Sequence, residues 1–439
     1  MALRRHGHQV SILDARLLRF SLDKVVERAR AFKPDVIGLS VLNFDAPQGH
    51  LLAKRIKEEW PQVPVVMGGP YASAKSEAIL DDEAVDILVL GEGEETFSEL
   101  IDALDDDRPI DDVRGIIFRK DRIPIRTVPR PFIDRLDHYQ VDWETLHPTN
   151  YFSFWQRTAQ NLVQHSSRVA PIFTSRGCPF GCIFCHNIFG RKFRARSPEN
   201  VIGEVEYLVN KYGIREFEIS DDSFNLDMDR AKAIARFIIE RGLKLRMAFS
   251  NGLRVDRMDE ELLGLLKKAG TFRITYAVES ASPRVQKLIG KNLNLKRAQE
   301  TITLTAARGI ITTGFFILGF PGETAEEMKM TVDYAVNSDL HISSFFYLCP
   351  FPGTPLAESY PELANQVRNQ HIEDYSKITI NLSAVSDQVM HSVCKQAYRR
   401  FYFQPRRIFR TLKLVPKNFR TLVNILDILR LSLRDAVNY

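Results

Sequence analysis

The sequence predicts an α/β protein built from two βα assemblies. An N-terminal doubly wound, Rossmann-like sheet precedes a partial (β/α)6 barrel of the TIM type and a helical C-terminal region. Three observations carry this reading. From Met1 to about Leu104, short apolar runs alternate with amphipathic stretches. From Val169 to Leu348, six more apolar runs alternate with helical patterns. The 439 residues suffice for two or three domains with sizeable cores.

Composition narrows the function classes. The formal net charge of +5 is modest and by itself implies no nucleic-acid partner. Cys178, Cys182 and Cys185 fall in one loop, while Cys349 and Cys394 lie far away. No disulfide framework is evident, and a reducing cytoplasm fits best. No apolar run of about 18 residues and no signal-peptide pattern occurs, so a soluble or at most peripheral protein is expected.

In the first assembly, His8–Asp14, Asp35–Ser40, Val63–Gly69 and Asp86–Gly91 are expected as buried parallel strands, with helices between them such as Gly49–Trp60. Such sheets bind ligands beyond the carboxyl ends of their strands. Ser40, Gly68, Gly69, Gly91, Glu92 and Gly93 stand at those ends, where glycines let a backbone approach a large flat ligand; the same residues also suit ordinary strand-to-helix turns. The chain opens in a helical stretch, Ala2–Gly7, where a doubly wound domain should open on a strand, so the first strand is expected to be missing. Asp102–Val113 reads as an acidic solvated turn, and Asp112–Arg126 as a small hairpin. The stretch from Pro129 to about Ser167 is Pro- and aromatic-rich and reads as a linker. The expected domains are 1–128, a linker 129–167, a barrel 168–360 and a basic helical region 361–439.

The barrel strands are expected at Ala170–Ser175, Glu216–Ser220, Lys244–Ser250, Thr271–Glu279, Ile311–Leu318 and His341–Leu348. The helices are expected near Pro198–Lys211, Asp229–Arg241, Asp259–Ala269, Lys296–Ala307 and Ala325–Asn337. Ser197-Pro198 is a good helix start, with a hydroxyl cap and proline at the first helical position. The working face of such a barrel is at the strand carboxyl ends. There the strands run into Asp221-Asp222-Ser-Phe, Ser250-Asn-Gly-Leu-Arg254, Glu279-Ser280, Leu318-Gly-Phe-Pro-Gly-Glu323 and Leu348-Cys-Pro-Phe-Pro-Gly-Thr354.

The first barrel strand leads into Ser175-Arg-Gly-Cys-Pro-Phe-Gly-Cys-Ile-Phe-Cys-His186, with a C-x3-C-x2-C spacing. Three thiolates in one tight, glycine-bearing loop can hold three corners of an iron–sulfur cube, leaving the fourth iron open. A structural zinc with His186 as fourth ligand is the alternative. It fits less well, because His186 follows Cys185 directly while zinc motifs separate their ligand pairs.

The cysteine loop, Asp-Asp-Ser-Phe, Val-Glu-Ser, Leu-Gly-Phe-Pro-Gly-Glu and Pro-Phe-Pro-Gly-Thr-Pro together resemble the radical S-adenosylmethionine (SAM) enzymes. The N-terminal Gly-Leu-Ser, Met-Gly-Gly-Pro and Leu-Gly-Glu-Gly-Glu elements are similar to the cobalamin-binding domain of one large class of them, which includes carbon methylases and the anaerobic cyclase of chlorophyll synthesis. The resemblance implies that Cys178, Cys182 and Cys185 ligate a 4Fe–4S cluster whose open iron takes the amino and carboxylate groups of SAM. It implies Phe184 near the adenine and Asp221 or Asp222 on the amino group. Ser250, Asn251 and Arg254 are implied for the carboxylate or ribose, and Glu279 for the ribose hydroxyls. Ile317, Gly319 and Leu348 are implied as apolar or backbone contacts to adenine. For cobalamin it implies Ser40, Gly68, Gly69, Gly91, Glu92 and Gly93, without a histidine on cobalt; Asp339-Leu-His341-Ile-Ser-Ser344 lacks the glycine of the histidine-bearing motif and reads as a turn.

The implied reaction is reductive cleavage of SAM and functionalisation of an unactivated carbon, most often by methyl transfer to a small-molecule or lipid-like substrate. An external donor of the flavodoxin or ferredoxin type would supply electrons. A non-methylating cyclase or rearrangement enzyme with a vestigial cobalamin domain is the alternative, and a non-catalytic iron–sulfur or zinc protein the third reading. Cys349 is expected as a small buried apolar residue or a second working thiol, and Cys394 as structural. After Tyr360 basic residues crowd the tail, and Val423–Leu431 suits an amphipathic helix. Such a segment can lie on an anionic membrane or cap the barrel as a solvated helix.

Overall fold

The computed structural model describes residues 1–152, 163–363, 376–417 and 421. The chain forms two compact units. One comprises Met1–Leu146, Gly177–Arg194 and Cys349–Asp374; the other comprises His147–Arg176, Ala195–Leu348 and Tyr375–Tyr439.

The first unit holds a five-stranded sheet in chain order: β1 (Ile37–Ser40), β2 (Val65–Gly68), β3 (Ile87–Val89), β4 (Ile116–Lys120) and β5 (Ile123–Arg126). β1, β2 and β3 are parallel, and β4–β5 is the expected hairpin, added antiparallel to β3. Strands such as Val-Val-Met and Ile-Leu-Val are apolar throughout because both sheet faces are covered. On one face Val65, Met67 and Leu88 pack with Ala53 and Ile56 of the helix Ala46–Glu59. On the other, Val66, Ile87 and Val89 pack with Leu100 and Ala103 of the helix Gly93–Asp105.

Two local expectations fail here for one reason. His8–Asp14 is not a strand, and Asp102 lies inside a helix rather than in a turn. The Asp102 carboxylate meets His6 Nδ1 and His8 Nε2, each at 2.7 Å. Chiefly the bond from His8 holds it below the usual carboxylate range. That anchor ties the segment to the helix, and Ile12 and Leu13 remain exposed instead of entering the sheet.

The second unit is a six-stranded parallel sheet that forms the partial barrel. Its strands are β6 (Val169–Ile172), β9 (Glu216–Ile219), β10 (Arg246–Leu253), β11 (Thr271–Glu279), β12 (Ile311–Leu318) and β13 (Ile342–Tyr347). They lie in the order β13-β12-β11-β10-β9-β6. Two-residue strands β7 (Ser175–Arg176) and β8 (Arg194–Ala195) flank the cysteine loop in sequence. The helices Pro198–Tyr212, Met228–Glu240, Glu260–Lys268, Leu295–Ala307 and Ala325–Asn337 begin where polar caps allow. Side chains of Ser197, Asp227, Asp259, Asn294 and Thr324 each accept a first-turn N–H, and Thr324 with Glu327 completes a capping box.

β13 is an edge strand, and an exposed edge offers unpaired backbone groups. The helix Asp387–Tyr402 occupies it with two tyrosines one turn apart. Tyr402 Oη accepts from Ser343 N at 3.1 Å and donates to Ser343 O at 2.8 Å. Tyr398 Oη does the same at Phe345, at 3.1 Å each way. Two phenols thus replace the missing neighbour strand. Arg420 and Val423–Leu431 lie outside the described residues. Among the described residues, no helix is long and apolar enough to cross a membrane.

Replacing both tyrosines by phenylalanine keeps the packing but strands four backbone groups. The double variant is expected to lose about 2–4 kcal/mol of stability in denaturant melts and to associate more readily; an unchanged midpoint would show that water serves this edge equally well.

Candidate functional site

The cysteine loop belongs to the first unit, and its backbone is held from several directions. Cys178 N donates to Gly190 O at 3.2 Å, Cys185 N to Cys182 O at 3.3 Å, and Leu356 N to Ile183 O at 2.9 Å. Arg191 Nη1 donates to Phe180 O at 2.8 Å. Gly177 has φ +84°, and a Cβ there would sit 2.3 Å from Lys192 O, so only glycine closes the loop. Cys185 is exposed and Cys178 and Cys182 half-buried, so a held backbone presents its thiols at the surface. Among the described residues, no three ligating side chains are arranged round a single ion. A cube takes thiolates at separate corners, so three thiols suit it without converging on one point. The His186 ring packs against Phe351, with ring centroids 4.6 Å apart.

The loop's exit is anchored by Arg194, almost wholly buried. Its Nη1 donates to Glu92 Oε2 at 2.8 Å and Ile133 O at 2.6 Å, and its Nη2 to Phe189 O at 2.7 Å. Its guanidinium lies 4.9 Å from the centre of the Phe132 ring. Ile133 N donates to Glu92 Oε2 at 2.7 Å. The Glu92 carboxylate is therefore committed to this cluster. The neighbouring candidates fall together at one end of the parallel strands: Ser40 ends β1, Gly68 ends β2, and Gly91 and Gly93 follow β3. Gly69, at φ +88°, admits no side chain, since a Cβ would lie 2.8 Å from Val41 O. Gly91 N donates to Ser73 Oγ at 2.9 Å. A glycine-rich rim at successive strand ends suits a large planar group.

In the second unit the remaining candidates stand at the carboxyl ends of β9 to β13. Asp221 is buried and accepts from Thr174 N (2.5 Å), Thr174 Oγ1 (2.5 Å) and Ser175 Oγ (2.6 Å). Burial pushes its acid upward, against those bonds. Asp222 beside it is exposed. The parallel register between β10 and β11 slips between Phe249 and Leu253, and that bulge carries Ser250 and Asn251. Ser250 Oγ meets Arg273 Nη2, and Asn251 Nδ2 donates to Ser220 O at 2.7 Å. Arg254 is tied to Asp256 Oδ1 (2.8 Å) and Lys291 O (2.9 Å). Glu279 ends β11 at φ +69°, a region costly for a side-chain-bearing residue, and accepts from Lys291 Nζ at 2.8 Å. Ile317 is half-buried, Leu348 is buried, and Gly319 N donates to Glu323 Oε2 at 2.8 Å.

Sequence reasoning passed over the residues that hold these in place. Asn225 directly follows the quoted Asp-Asp-Ser-Phe run; it is fully buried and donates from Nδ2 to Arg254 O (2.8 Å) and Arg257 O (2.6 Å). Lys291 and Arg273 have no local motif to reveal them. Glu323 ends a quoted motif, where it accepts from Gly319 N and Phe320 N while Oε1 is buried without a hydrogen bond. Burial raises its acid to about 7. Cys349 and Cys394 are buried, and burial pushes the Cys394 thiol up to about 11. His341 lies between a helix and β13, its Nδ1 accepting from Thr312 N at 3.1 Å, and burial is the main cause that lowers it to about 4.

Two predictions follow from this geometry. Arg194→Ala leaves a buried carboxylate unpaired and is expected to cost about 3–5 kcal/mol in denaturant melts. The double variant Glu92→Gln/Arg194→Met should recover most of that loss; no recovery would contradict the pairing. Glu323 is raised in the folded state, so its contribution is whole below about pH 4.5 and is lost as pH rises to about 7. Glu323→Gln should therefore gain up to about 2–3 kcal/mol relative to wild type across that window, read from urea midpoints at successive pH values; a constant difference would contradict the burial argument.

Two family models match the chain: the radical SAM superfamily over residues 172–335 and the B12 binding domain over residues 1–101. An uncharacterized methyltransferase of Pyrococcus horikoshii is 30% identical over 413 residues, covering 93% of this chain and 87% of the relative. The cytidylyl-2-hydroxyethylphosphonate methyltransferase of Streptomyces wedmorensis is 34% identical over 403 residues, covering 81% and 75%. Among solved structures, the radical SAM methyltransferase TsrM of Kitasatospora setae, with cobalamin and a 4Fe–4S cluster bound, shares the fold at TM-score 0.68 and 23% identity, covering 83% of this chain and 71% of that one. Three thiols on one loop, a glycine-rich rim on a B12-type sheet and polar strand ends on a partial barrel thus sit in a chain that belongs to the radical SAM enzymes with an N-terminal B12-binding domain.

Proposed function

We propose that this chain is a cobalamin-dependent radical SAM methyltransferase acting on an unactivated carbon of a small-molecule or lipid-like substrate. It would work in the cytoplasm with an external one-electron donor of the flavodoxin or ferredoxin type. The observation that carries the reading is the cysteine loop, whose backbone is held while Cys185 is exposed and Cys178 and Cys182 are half-buried beside it. The relatives named methyltransferases support methyl transfer over cyclisation. The working division of the chain is 1–128 for cobalamin, 129–167 as linker, 168–360 for SAM and 361–439 as the basic region.

When bound, the cluster supplies the electron that cleaves the sulfonium, and cobalamin carries the methyl group. The chain's own residues bind, orient and exclude water. Cys178, Cys182 and Cys185 would hold three irons of the cluster, which leaves one position for the amino and carboxylate groups of SAM. Of the two aspartates, Asp222 is assigned to the ammonium, because Asp221 already accepts three hydrogen bonds and is buried. Glu279 takes the ribose hydroxyls, with Lys291 holding it in place. Ser250, Asn251 and Arg254 orient the carboxylate or ribose, and Phe184, Ile317, Gly319 and Leu348 enclose adenine. Ser40, Gly68, Gly69, Gly91 and Gly93 form the cobalamin rim. Glu92 supports that rim by fixing the neighbouring backbone.

Cys182→Ala tests the reading. After anaerobic reconstitution with iron and sulfide, the variant is expected to lose cluster absorption and to form no SAM cleavage product, while cobalamin binding persists. Transfer of labelled methyl from SAM marks the methylating activity; a variant that keeps cluster and cleavage would overturn the ligand assignment.

A further inference from the structure

The helix Pro405–Leu414 packs the wrong way round for a soluble protein. Arg407 and Arg410 face inward. Arg407 is 5% exposed, donates to Val336 O (2.7 Å), Leu340 O (3.1 Å) and Ser338 O (3.2 Å), and lies 3.6 Å from the centre of the Phe401 ring. Arg410, one turn on, donates to Asp339 Oδ1 at 2.5 Å and Asp339 O at 2.8 Å. Positions i, i+1 and i+4 on the opposite side carry Ile408, Phe409 and Leu412, exposed by 46, 64 and 50%, and Phe403 just before the helix is exposed by 81%. A soluble helix hides such residues and exposes its charges.

The sequence neighbours of this ridge are cationic. Arg399, Arg406, Lys413 and Lys417 are exposed, and Lys413 Nζ lies 5.4 Å from the centre of the Phe409 ring. From Gln388 to Lys417 the sequence has eight Lys and Arg and no Asp or Glu. Single exposed apolar residues are ordinary on a surface. Four of them on one helix and its lead-in, interspersed with cations in a stretch without acids, match a segment that rests in the interface of an anionic bilayer. There phenyl and aliphatic groups enter the acyl boundary while Lys and Arg meet lipid phosphates.

We propose that the face formed by Phe403, Ile408, Phe409 and Leu412 with Arg406 and Lys413 docks this protein on an anionic phospholipid membrane. The backbone that Arg407 and Arg410 grip leads into the amino-terminal end of β13, whereas Glu279, Gly319 and Leu348 stand at strand carboxyl ends. Docking therefore leaves that face of the second unit open, and membrane binding and SAM cleavage should be separable.

Co-sedimentation of the reconstituted full chain with vesicles tests this. One set is phosphatidylcholine alone, the other contains about one-third phosphatidylglycerol. Wild type should pellet with the anionic set, and less at about 0.5 M than at about 0.1 M salt. The quadruple variant Phe403→Ser/Ile408→Ser/Phe409→Ser/Leu412→Ser should bind at least about tenfold more weakly with SAM cleavage retained. Arg406→Glu/Lys413→Glu, which leaves the apolar ridge intact, should lose binding to the anionic set as well and serves if the quadruple variant does not fold. Wild type that stays in solution with anionic vesicles overturns the proposal, whether a protein segment covers the face or nothing does. Equal binding by either variant overturns it too, as does a wild-type dimer that the quadruple variant converts to monomer in sedimentation velocity.

Discussion

Arg194 does the work of a keystone in the first unit. A loop that offers thiols to an inorganic core cannot also bury its own backbone against them, so its fixity must come from elsewhere. One guanidinium supplies much of it, binding the turn after β3 through Glu92, the segment after β5 through Ile133 and the loop itself through Phe189. A buried ion pair of this kind adds little net stability over an apolar substitute, but it accepts only one arrangement of its partners. It is thus suited to setting the cysteine loop in a fixed relation to the strand ends proposed for cobalamin, both of which lie in the same unit.

The second unit uses the same economy at its strand ends. Asp221 fastens the end of β6 to β9, and Asn225 fastens the loop after β9 to the loop after β10. Lys291 connects Glu279 with Arg254. The conformations least comfortable for the backbone, the bulge at Ser250–Gly252 and the positive φ of Glu279, occur at these same ends. Strain is tolerated where surrounding bonds over-determine the geometry. The opposite edge of the sheet is stabilised differently, by tyrosine hydroxyls standing in for a strand.

Much of this was legible in the sequence because its cause is local. Alternating apolar and amphipathic runs marked the strands and helices, and the Ser197-Pro198 cap marked one helix start, with Ala325–Asn337 matching in both bounds. The cysteine spacing and the strand-end motifs needed no tertiary information. What stayed hidden depends on partners distant in the chain. Glu92 looks like a turn residue until Arg194, 102 positions later, is placed beside it. His8–Asp14 has the pattern of a strand, and only the Asp102 carboxylate shows why it is not one. Tyr398 and Tyr402 are ordinary helix residues until β13 proves to be an edge. The inverted helix at Pro405–Leu414 hid likewise, since its buried arginines are explained only by the carbonyls before β13.

The central claim is that three protein thiolates hold a cluster with one iron left for SAM. Its most direct measurement is the electron paramagnetic resonance spectrum of the anaerobically reconstituted, reduced protein before and after SAM is added, alongside iron analysis. The account predicts about four irons per chain and a spectrum that changes when SAM binds the open iron. A cluster whose spectrum is indifferent to saturating SAM, or a protein that takes up zinc in place of iron, would contradict it.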